Sequence, residues 1–369
     1  MRPRKNDLRV LLVGGFGHAV CVFDEWWQDG APVRAVGVVQ TLPDEPLDVF
    51  LAHPWVKQSA PTRFDDLPEA LDATKPDVLV VSTRPDLNPE IIEQGLRAGC
   101  HVISEKPLAV DESGLSRVHT ALGETGKFLL PMLGMADAPA FTEARELVGQ
   151  GVIGEPALIN ARKSYQWGRR AAWFRDRHKY GGIWGWVGIH AFNNAAYILG
   201  RRTVKVLAAQ KRNRFHPDYA PGCPDCLSGL FLLEGDVQMT VSIDLLRPDG
   251  QAFWGDDWVR IVGSEGSLEA NPALGTIRLI RKGRDEELRK VSATNVPFYT
   301  PFLDAVNGAG DFSEMATLGL QLTDAALAAE RASCESLCEL QVDPGRWEIR
   351  QDLVRRSAGS EADINHAAT

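Results

Sequence analysis

The sequence predicts an α/β protein in two parts: a doubly wound parallel sheet, then an α+β domain with a largely antiparallel, open sheet. Three observations carry this expectation. Up to about residue 132, short β-branched apolar runs alternate with helical stretches. The first of those runs ends in Gly14-Gly15-Phe16-Gly17, a glycine turn between a strand and a helix. From residue 157 onward, strand-like runs follow one another with glycine-containing turns between them. The 369 residues, 44% hydrophobic and 24% charged, are enough for two cores at roughly 100–200 residues per domain. The expected divisions are residues 6–132, 133–345 and a C-terminal extension, 346–369, whose small polar end is expected to be disordered.

A formal charge of −9 argues against a nucleic-acid surface as the main business of the chain. No apolar run approaches the roughly 18 residues that a membrane span needs. The N-terminal MRPRKNDLRV is basic, but LLVGGFGHAV after it has no cleavage pattern and reads as a first strand, so a cytoplasmic protein is expected. Of six cysteines, only Cys223-Pro-Asp-Cys226 has ligand-like spacing, with His216 upstream. A zinc site of this type needs a second such pair, so the loop is read as two reduced thiols without a metal.

Leu8–Val13 is the first strand, and the turn after it lets backbone N–H groups approach a pyrophosphate at a helix N-terminus. The G-x-G-x-x-G/A pattern fits imperfectly: read from Gly14 its second glycine is Phe16, and read from Gly15 its third place is Val20. Val33–Val39 is the second strand. Where an acid would meet a ribose 2′-hydroxyl, the chain has Gln40 and Thr41, with Asp44 beyond Pro43, so NAD and NADP both stay open. A helix is expected to open at residues 64–71 and to close at Lys75-Pro76-Asp77. Residues 77–83 form a buried strand, 89–98 a helix closed by Gly99, and His101–Ser104 a strand that runs into Glu105-Lys106-Pro107. Pro107 cannot continue that strand, so Lys106 stands at its carboxyl end, where open α/β sheets bind ligands. A helix over 111–123 and a strand over 127–132 complete the alternation.

Three stretches, LRVLLVGGFGHA, DVLVVSTRPDLNPEIIEQGLRAGCHVISEKPLA and YGGIWGWVGIHAFNNAAYILG, resemble the Gfo/Idh/MocA family of nicotinamide-dependent oxidoreductases. The likeness covers nearly the whole chain. It implies a Rossmann-type first domain that binds NAD or NADP, with the EKP lysine, Lys106, beside the nicotinamide. It implies a cofactor cleft built from the glycine turn (Gly14, Gly15, Phe16, Gly17, His18), from Gln40, and from Thr83 and Asn88. Glu105 and Pro107 would shape the turn around Lys106.

In the second half, residues 138–148 read as a helix and 151–156 as a turn cluster. Strand-like runs follow at 157–163, 204–211, 228–234, 237–245, 258–263, 267–270 and Thr276–Arg281. The outer face of such a sheet is a place for a homo-oligomer interface, a dimer or tetramer. A helix over 314–333 is expected to return towards the first domain, as the resemblance implies.

Residues 180–194 should open a helix that runs towards Ile198. At helical spacing His190 shares a face with Trp186 and Asn193. The family usually has an aspartate four residues before this histidine, and here that position is Trp186. His190 is a candidate acid/base because its ordinary pKa lies near working pH. Lys106 is a candidate for polarising a substrate oxygen or supplying its proton, and Tyr180 is a phenol that can give a proton to an alkoxide. Lys163, Trp186 and Asn193 are candidate substrate contacts, with Trp186 a wall or stacking surface for a ring. Arg247 with Asp256 and Asp257 reads either as a surface ion pair or as a pocket rim. The expected activity is hydride transfer between NAD(P)(H) and a hydroxyl or keto carbon of a sugar, cyclitol or related polyol, a small-molecule substrate. The missing aspartate and the imperfect glycine pattern keep two other readings open: a cofactor-retaining lyase or glycosidase, and a non-catalytic cofactor-binding regulator.

Overall fold

The computed structural model describes residues 7–134, 138–216, 223–250, 253, 255–291 and 296–334. The C-terminal extension expected over residues 346–369, with its small polar end, lies outside these residues.

The first lobe runs β1 (Leu8–Val13), α1 (Ala19–Gln28), β2 (Val33–Val39), α2 (Leu47–Ala52), α3 (Pro54–Ser59), β3 (Thr62–Phe64), α4 (Leu67–Thr74), β4 (Val78–Val81), α5 (Asn88–Arg97), β5 (His101–Ser104), α6 (Glu112–Thr125) and β6 (Leu129–Pro131). Its strands form one sheet in the order β3-β2-β1-β4-β5-β6, and every pairing is parallel. Side chains alternate across a strand, so β1 feeds two cores. Val10 and Leu12 pack with Val22, Phe23 and Trp26 of α1 on one face. Leu11 and Val13 pack with Ala70, Ile92 and Leu96 on the other. The strand order reverses between β1 and β4, which opens the crevice at the carboxyl ends of the strands. Phe64 ends β3, and α4 starts later than the sequence suggested, because the Asp66 carboxylate accepts the Glu69 N–H and fixes the first turn.

The second lobe runs α7 (Pro139–Gly149), β7 (Pro156–Gln166), α8 (Arg177–Tyr180), α9 (Ile189–Leu199), β8 (Thr203–Arg212), β9 (Cys226–Leu233), β10 (Val237–Arg247), β11 (Gly255–Gly263), β12 (Gly266–Asn271), β13 (Thr276–Arg281) and β14 (Glu287–Lys290), and the helices α10 (Thr300–Val306) and α11 (Ser313–Cys334) follow it in the chain. The sheet order is β14-β13-β12-β11-β7-β10-β9-β8. It is antiparallel except at its centre, where β7 and β10 run parallel. Ile159, Ala161, Met239, Val241, Val259 and Ile261 face the helices, while Asn160, Thr240 and Arg260 lie on the opposite face.

The last helices tie the lobes together. Tyr299, Phe302 and Leu303 sit in the core of the parallel sheet with Val10, Leu12 and Trp26. The Glu25 carboxylate of α1 accepts the backbone N–H groups of Phe298, Tyr299 and Thr300 at 2.9, 2.7 and 2.6 Å, which satisfies the otherwise unpaired start of α10. On α11, Ala316 belongs to a core of the first lobe, and Leu322, Ala325, Ala326 and Ala329 belong to that of the second. Gly319 makes the crossing close: a Cβ there would stand 2.9 Å from the Pro131 ring. No helix among the described residues is long and apolar enough to cross a membrane.

If α10 is part of the first lobe's core, Phe302→Ala should cost about 3–5 kcal/mol of stability. Denaturant unfolding checks this, and a loss below about 1 kcal/mol would contradict the packing.

Candidate active site

The glycine turn is shaped by its surroundings. Gly14 (φ +83°) and Gly17 (φ +87°) are both left-handed, a conformation that glycine adopts without strain. A Cβ on Gly14 would lie 2.6 Å from the Ser82 carbonyl oxygen, and one on Gly17 would lie 2.5 Å from a Glu105 carboxylate oxygen. Phe16, where the fingerprint has a glycine in one reading, donates its N–H to the Ser82 carbonyl at 2.7 Å. Its ring leaves the turn and meets Trp173 of the second lobe edge-on at 5.6 Å. The departure at Phe16 therefore leaves the turn itself intact and joins it to the other lobe. The turn delivers the chain to the N-terminus of α1, so these residues fit a dinucleotide.

Thr83 and Gln40 stand at the strand ends beside this turn, but neither is the acid of the region. The Gln40 amide donates to the Leu42 and Pro43 carbonyls at 2.9 and 3.3 Å. The carboxylate is Glu45, which is buried. It accepts the Thr41 N–H and hydroxyl at 2.8 and 2.6 Å and the Thr83 hydroxyl at 2.6 Å. Along the sequence Asp44 is the acid nearest to the end of β2. The bend between Pro43 and Pro46 brings the next residue back to the strand ends.

The turn after β5 is fully enclosed. Ser104, Glu105 and Lys106 are buried, and the Lys106–Pro107 peptide is cis. Asn88 braces this turn, with its amide donating to the carbonyls of Glu105 at 3.2 Å and Pro107 at 3.0 Å. Glu105 accepts the His18 N–H at 2.8 Å and lies 2.9 Å from its ring Nδ1. Burial alone would push the Glu105 pKa up, but the His18 ring, the Lys106 ammonium and the hydrogen bonds from His18 outweigh it and bring the group down to about 2. The Lys106 ammonium lies 3.5 Å from Glu105 and donates to the Trp186 carbonyl at 2.9 Å. It also stands 4.1 Å from the centre of the Trp186 ring. Burial pulls the Lys106 pKa down, Glu105 opposes that, and the charges of Lys163 and Arg170 add to it.

Trp186 reaches Lys106 because Trp184–Gly188 is a π-helical turn ahead of α9. Such wide turns are frequent at functional sites. Gly181 and Gly185 press against the Pro107 ring, where a Cβ would stand at 3.3 and 3.4 Å. His190 is buried on the first turn of α9, and its Nδ1 is enclosed without a hydrogen-bond partner. Burial, then the charges of Lys163, Lys106 and His18, hold its pKa well below the ordinary value, so the ring is neutral at working pH. Lys163 is buried, and its ammonium binds Asp257 at 2.6 Å. The Lys106, His190, Lys163 and Trp186 side chains thus share one neighbourhood.

Two candidates fall elsewhere. The wide turn breaks the uniform helical spacing that put Asn193 on the face of Trp186. The Asn193 amide donates to the Leu133 carbonyl at 2.9 Å and lines a separate groove with Tyr197 and Leu318. Its neighbour Asn194 reaches Asp257 instead, at 3.2 Å. Tyr180 lies in the core against Phe174, with its hydroxyl engaged by Cys223 and its pKa raised by burial, then by Cys223 and Glu330. Of the acid pair, Asp256 binds Arg162 at 2.7 Å and lies 3.6 Å from Arg247, nearer the surface, while Asp257 points inward. No group of three or more His, Cys, Asp or Glu among the described residues is placed to hold a metal ion.

Because the folded Glu105 pKa is depressed from 4.5 to about 2, its contribution is complete above about pH 4.5 and is lost as pH falls towards 2. A shift of that size is worth on the order of 3 kcal/mol. Unfolding free energies measured across this window should fall more steeply for the wild type than for Glu105→Gln. Parallel curves would contradict the buried carboxylate.

Known proteins bear the same pattern. An oxidoreductase-family model with an NAD-binding Rossmann fold matches residues 8–132, and a GFO/IDH/MocA C-terminal-domain model matches residues 141–269. The chain is 32% identical to the D-glucoside 3-dehydrogenase of Escherichia coli over 149 residues, 40% of this chain and 42% of that protein. It is 26% identical to the inositol 2-dehydrogenase of Rhizobium meliloti over 132 residues, 36% of this chain and 39% of the relative. An uncharacterised oxidoreductase of Synechocystis matches at 25% over 221 residues, 56% of this chain and 57% of that one. The chain therefore spans between 39% and 57% of the length of these curated relatives. A solved structure from Thermotoga maritima, described as an oxidoreductase, superposes with a TM-score of 0.81 at 26% identity, covering 89% of this chain and 99% of that one. Matched in order through both lobes, the chain belongs to the GFO/IDH/MocA oxidoreductase family.

Proposed function

We propose that the protein is a dehydrogenase or reductase that moves hydride between NAD(H) or NADP(H) and a hydroxyl or keto carbon of a sugar, cyclitol or related polyol. The observation that carries this reading is the meeting of Lys106, at the carboxyl end of the parallel sheet, with Trp186 of the second lobe. The names of two relatives, a D-glucoside 3-dehydrogenase and an inositol 2-dehydrogenase, support the substrate class.

Gly14, Gly15 and Gly17 would leave the backbone open to the pyrophosphate, with the α1 N-terminus behind it. Thr83, Asn88 and the Glu105–Lys106–Pro107 turn would line the rest of the cofactor cleft. Bound nicotinamide would supply the hydride acceptor or donor. Lys106, buried and with its pKa lowered, is suited to donate a hydrogen bond to the substrate oxygen and to give or take its proton. His190, held neutral, can accept or pass that proton through a ring nitrogen. Trp186, flanked edge-on by Trp173 and Phe174, would wall the site with an apolar surface against which a sugar or cyclitol ring can lie. Lys163 would add a hydrogen bond to a further oxygen. The apolar side chains of Val204 and Leu207 exposed on β8 support a homo-oligomer, dimer or tetramer, formed through the open sheet.

The Glu45 carboxylate at the strand ends favours a ribose 2′-hydroxyl and repels a 2′-phosphate. Fluorescence titration should therefore give NADH at least about a tenfold lower Kd than NADPH, about 1.4 kcal/mol. Equal affinities, or a preference for NADPH, would remove this assignment of Glu45.

A sugar and polyol panel, read at the nicotinamide absorbance, tests the activity. Lys106→Ala and His190→Ala should each lower kcat by roughly 10²–10⁴-fold, with NADH affinity within a few-fold of wild type. Wild-type rates in both variants would exclude the site. Cofactor binding without turnover on any compound would point instead to a regulatory protein.

A further inference from the structure

We propose that Asp257 is a positioning residue for Lys163, and that through this pair strand β11 brings into the site the carboxylate that position 186 lacks. The chemistry rests on the hydride-transfer reading; the arrangement does not.

Lys163 and Asp257 stand directly opposite each other in the antiparallel β7–β11 register. On the other face Arg162 and Asp256 pair diagonally, since the register sets Arg162 opposite Trp258 and Asp256 opposite Ser164. The outer pair is partly open to water, with side-chain exposures of 39% and 19%; the inner one is closed, at 1% and 8%. β11 also passes close to this side chain: a Cβ on Gly255 would crowd the Tyr165 ring at 3.2 Å and would lie in ordinary contact with Lys163 Nζ at 3.7 Å. Asp257 is gripped from two sides, by Lys163 at 2.6 Å through one oxygen and by the Asn194 amide at 3.2 Å through the other.

Asn194 lies one turn beyond His190 on α9, so the carboxylate is tied to the helix that carries the histidine. A buried ion pair adds little stability compared with apolar residues of the same size, so its presence calls for another explanation. Its location gives one. The Lys163 charge acts on both Lys106 and His190, which places that ammonium within electrostatic reach of the two groups proposed to handle the substrate. Asp257 fixes the direction of this charge and compensates it. Lys163 would touch the substrate, and Asp257 would act through Lys163.

A double-mutant cycle on the full-length enzyme tests this. Lys163→Met and Asp257→Asn should each lower kcat/KM by about a hundredfold, the cost of a misplaced group. The double variant should match Lys163→Met within about twofold, because Asp257 has nothing left to position. NADH affinity should not change, and Asp257→Glu should recover part of the rate. Multiplying effects, or wild-type kinetics in folded Asp257→Asn, would overturn the proposal. Asp257→Asn removes the carboxylate that compensates a buried ammonium and can fail to fold; the double variant removes both charges, and Asn194→Ala keeps both. Asn194→Ala should then show a smaller loss that disappears in the Lys163→Met background, and a loss that persists there would overturn the proposal.

A second readout needs no turnover. By imidazole NMR, with the His190 signal assigned by its loss in His190→Ala, Lys163→Met should raise the His190 titration midpoint, since the Lys163 charge is the largest contribution depressing it after burial. Asp257→Asn should not raise it. An unmoved midpoint in Lys163→Met would overturn the placement of Lys163. A wild type that turns over no compound but shows the shift would contradict the hydride-transfer reading alone.

Discussion

One buried contact joins the two lobes at the candidate site: the Lys106 ammonium on the carbonyl and ring of Trp186. Each partner is held by its own lobe. Asn88 braces the Glu105–Pro107 turn from the start of α5, and Glu105 is anchored by His18 at the start of α1. On the other side, Gly181 and Gly185 let the chain approach Pro107 before the π-helical turn offers the Trp186 carbonyl. Moving any of these would move the lysine relative to the strand ends where cofactor binding is proposed. The helix α11, with side chains in a core of each lobe, braces the same joint from behind.

The electrostatics follow from that enclosure. A lysine taken out of water loses affinity for its proton, and nearby cations strengthen the effect. Glu105 partly restores the charged form of Lys106, and it can do so because its own charge is held by His18. His190, near the same lysines, is kept neutral. The neighbourhood therefore combines a lysine whose pKa is lowered with a neutral imidazole, the pairing on which the proposed proton transfer rests. The tryptophan at 186 cannot take a proton, so these two groups would carry the transfer.

Much of this fold was legible because it rests on local patterns. The parallel lobe announced itself through β-branched runs, helix caps and the proline that stops β5, and Lys106 could be singled out from its place at that strand end. What was hidden depends on contacts distant in sequence. Glu45 becomes the acid at the strand ends only when the loop after β2 folds back onto Thr41 and Thr83. Asn194, and not Asn193, reaches Asp257, because a π-turn, which has no simple sequence signature, interrupts the helical spacing. Asp256 and Asp257 were indistinguishable as a sequence pair, and only the register of β11 against β7 sends one outward and the other to Lys163. Similarly, α10 could not be assigned to the first lobe without seeing Glu25 cap it.

Transfer of deuterium from 4,4-dideuterated NADH, which carries the label on both faces, to a keto sugar or inosose tests the central claim most directly. Mass spectrometry should find the label on one carbon of the alcohol product made by the wild type, and in the same time at most about a hundredth as much labelled product with Lys106→Met that still binds NADH. Unlabelled product from the wild type, or undiminished label from Lys106→Met, would contradict hydride transfer at this joint.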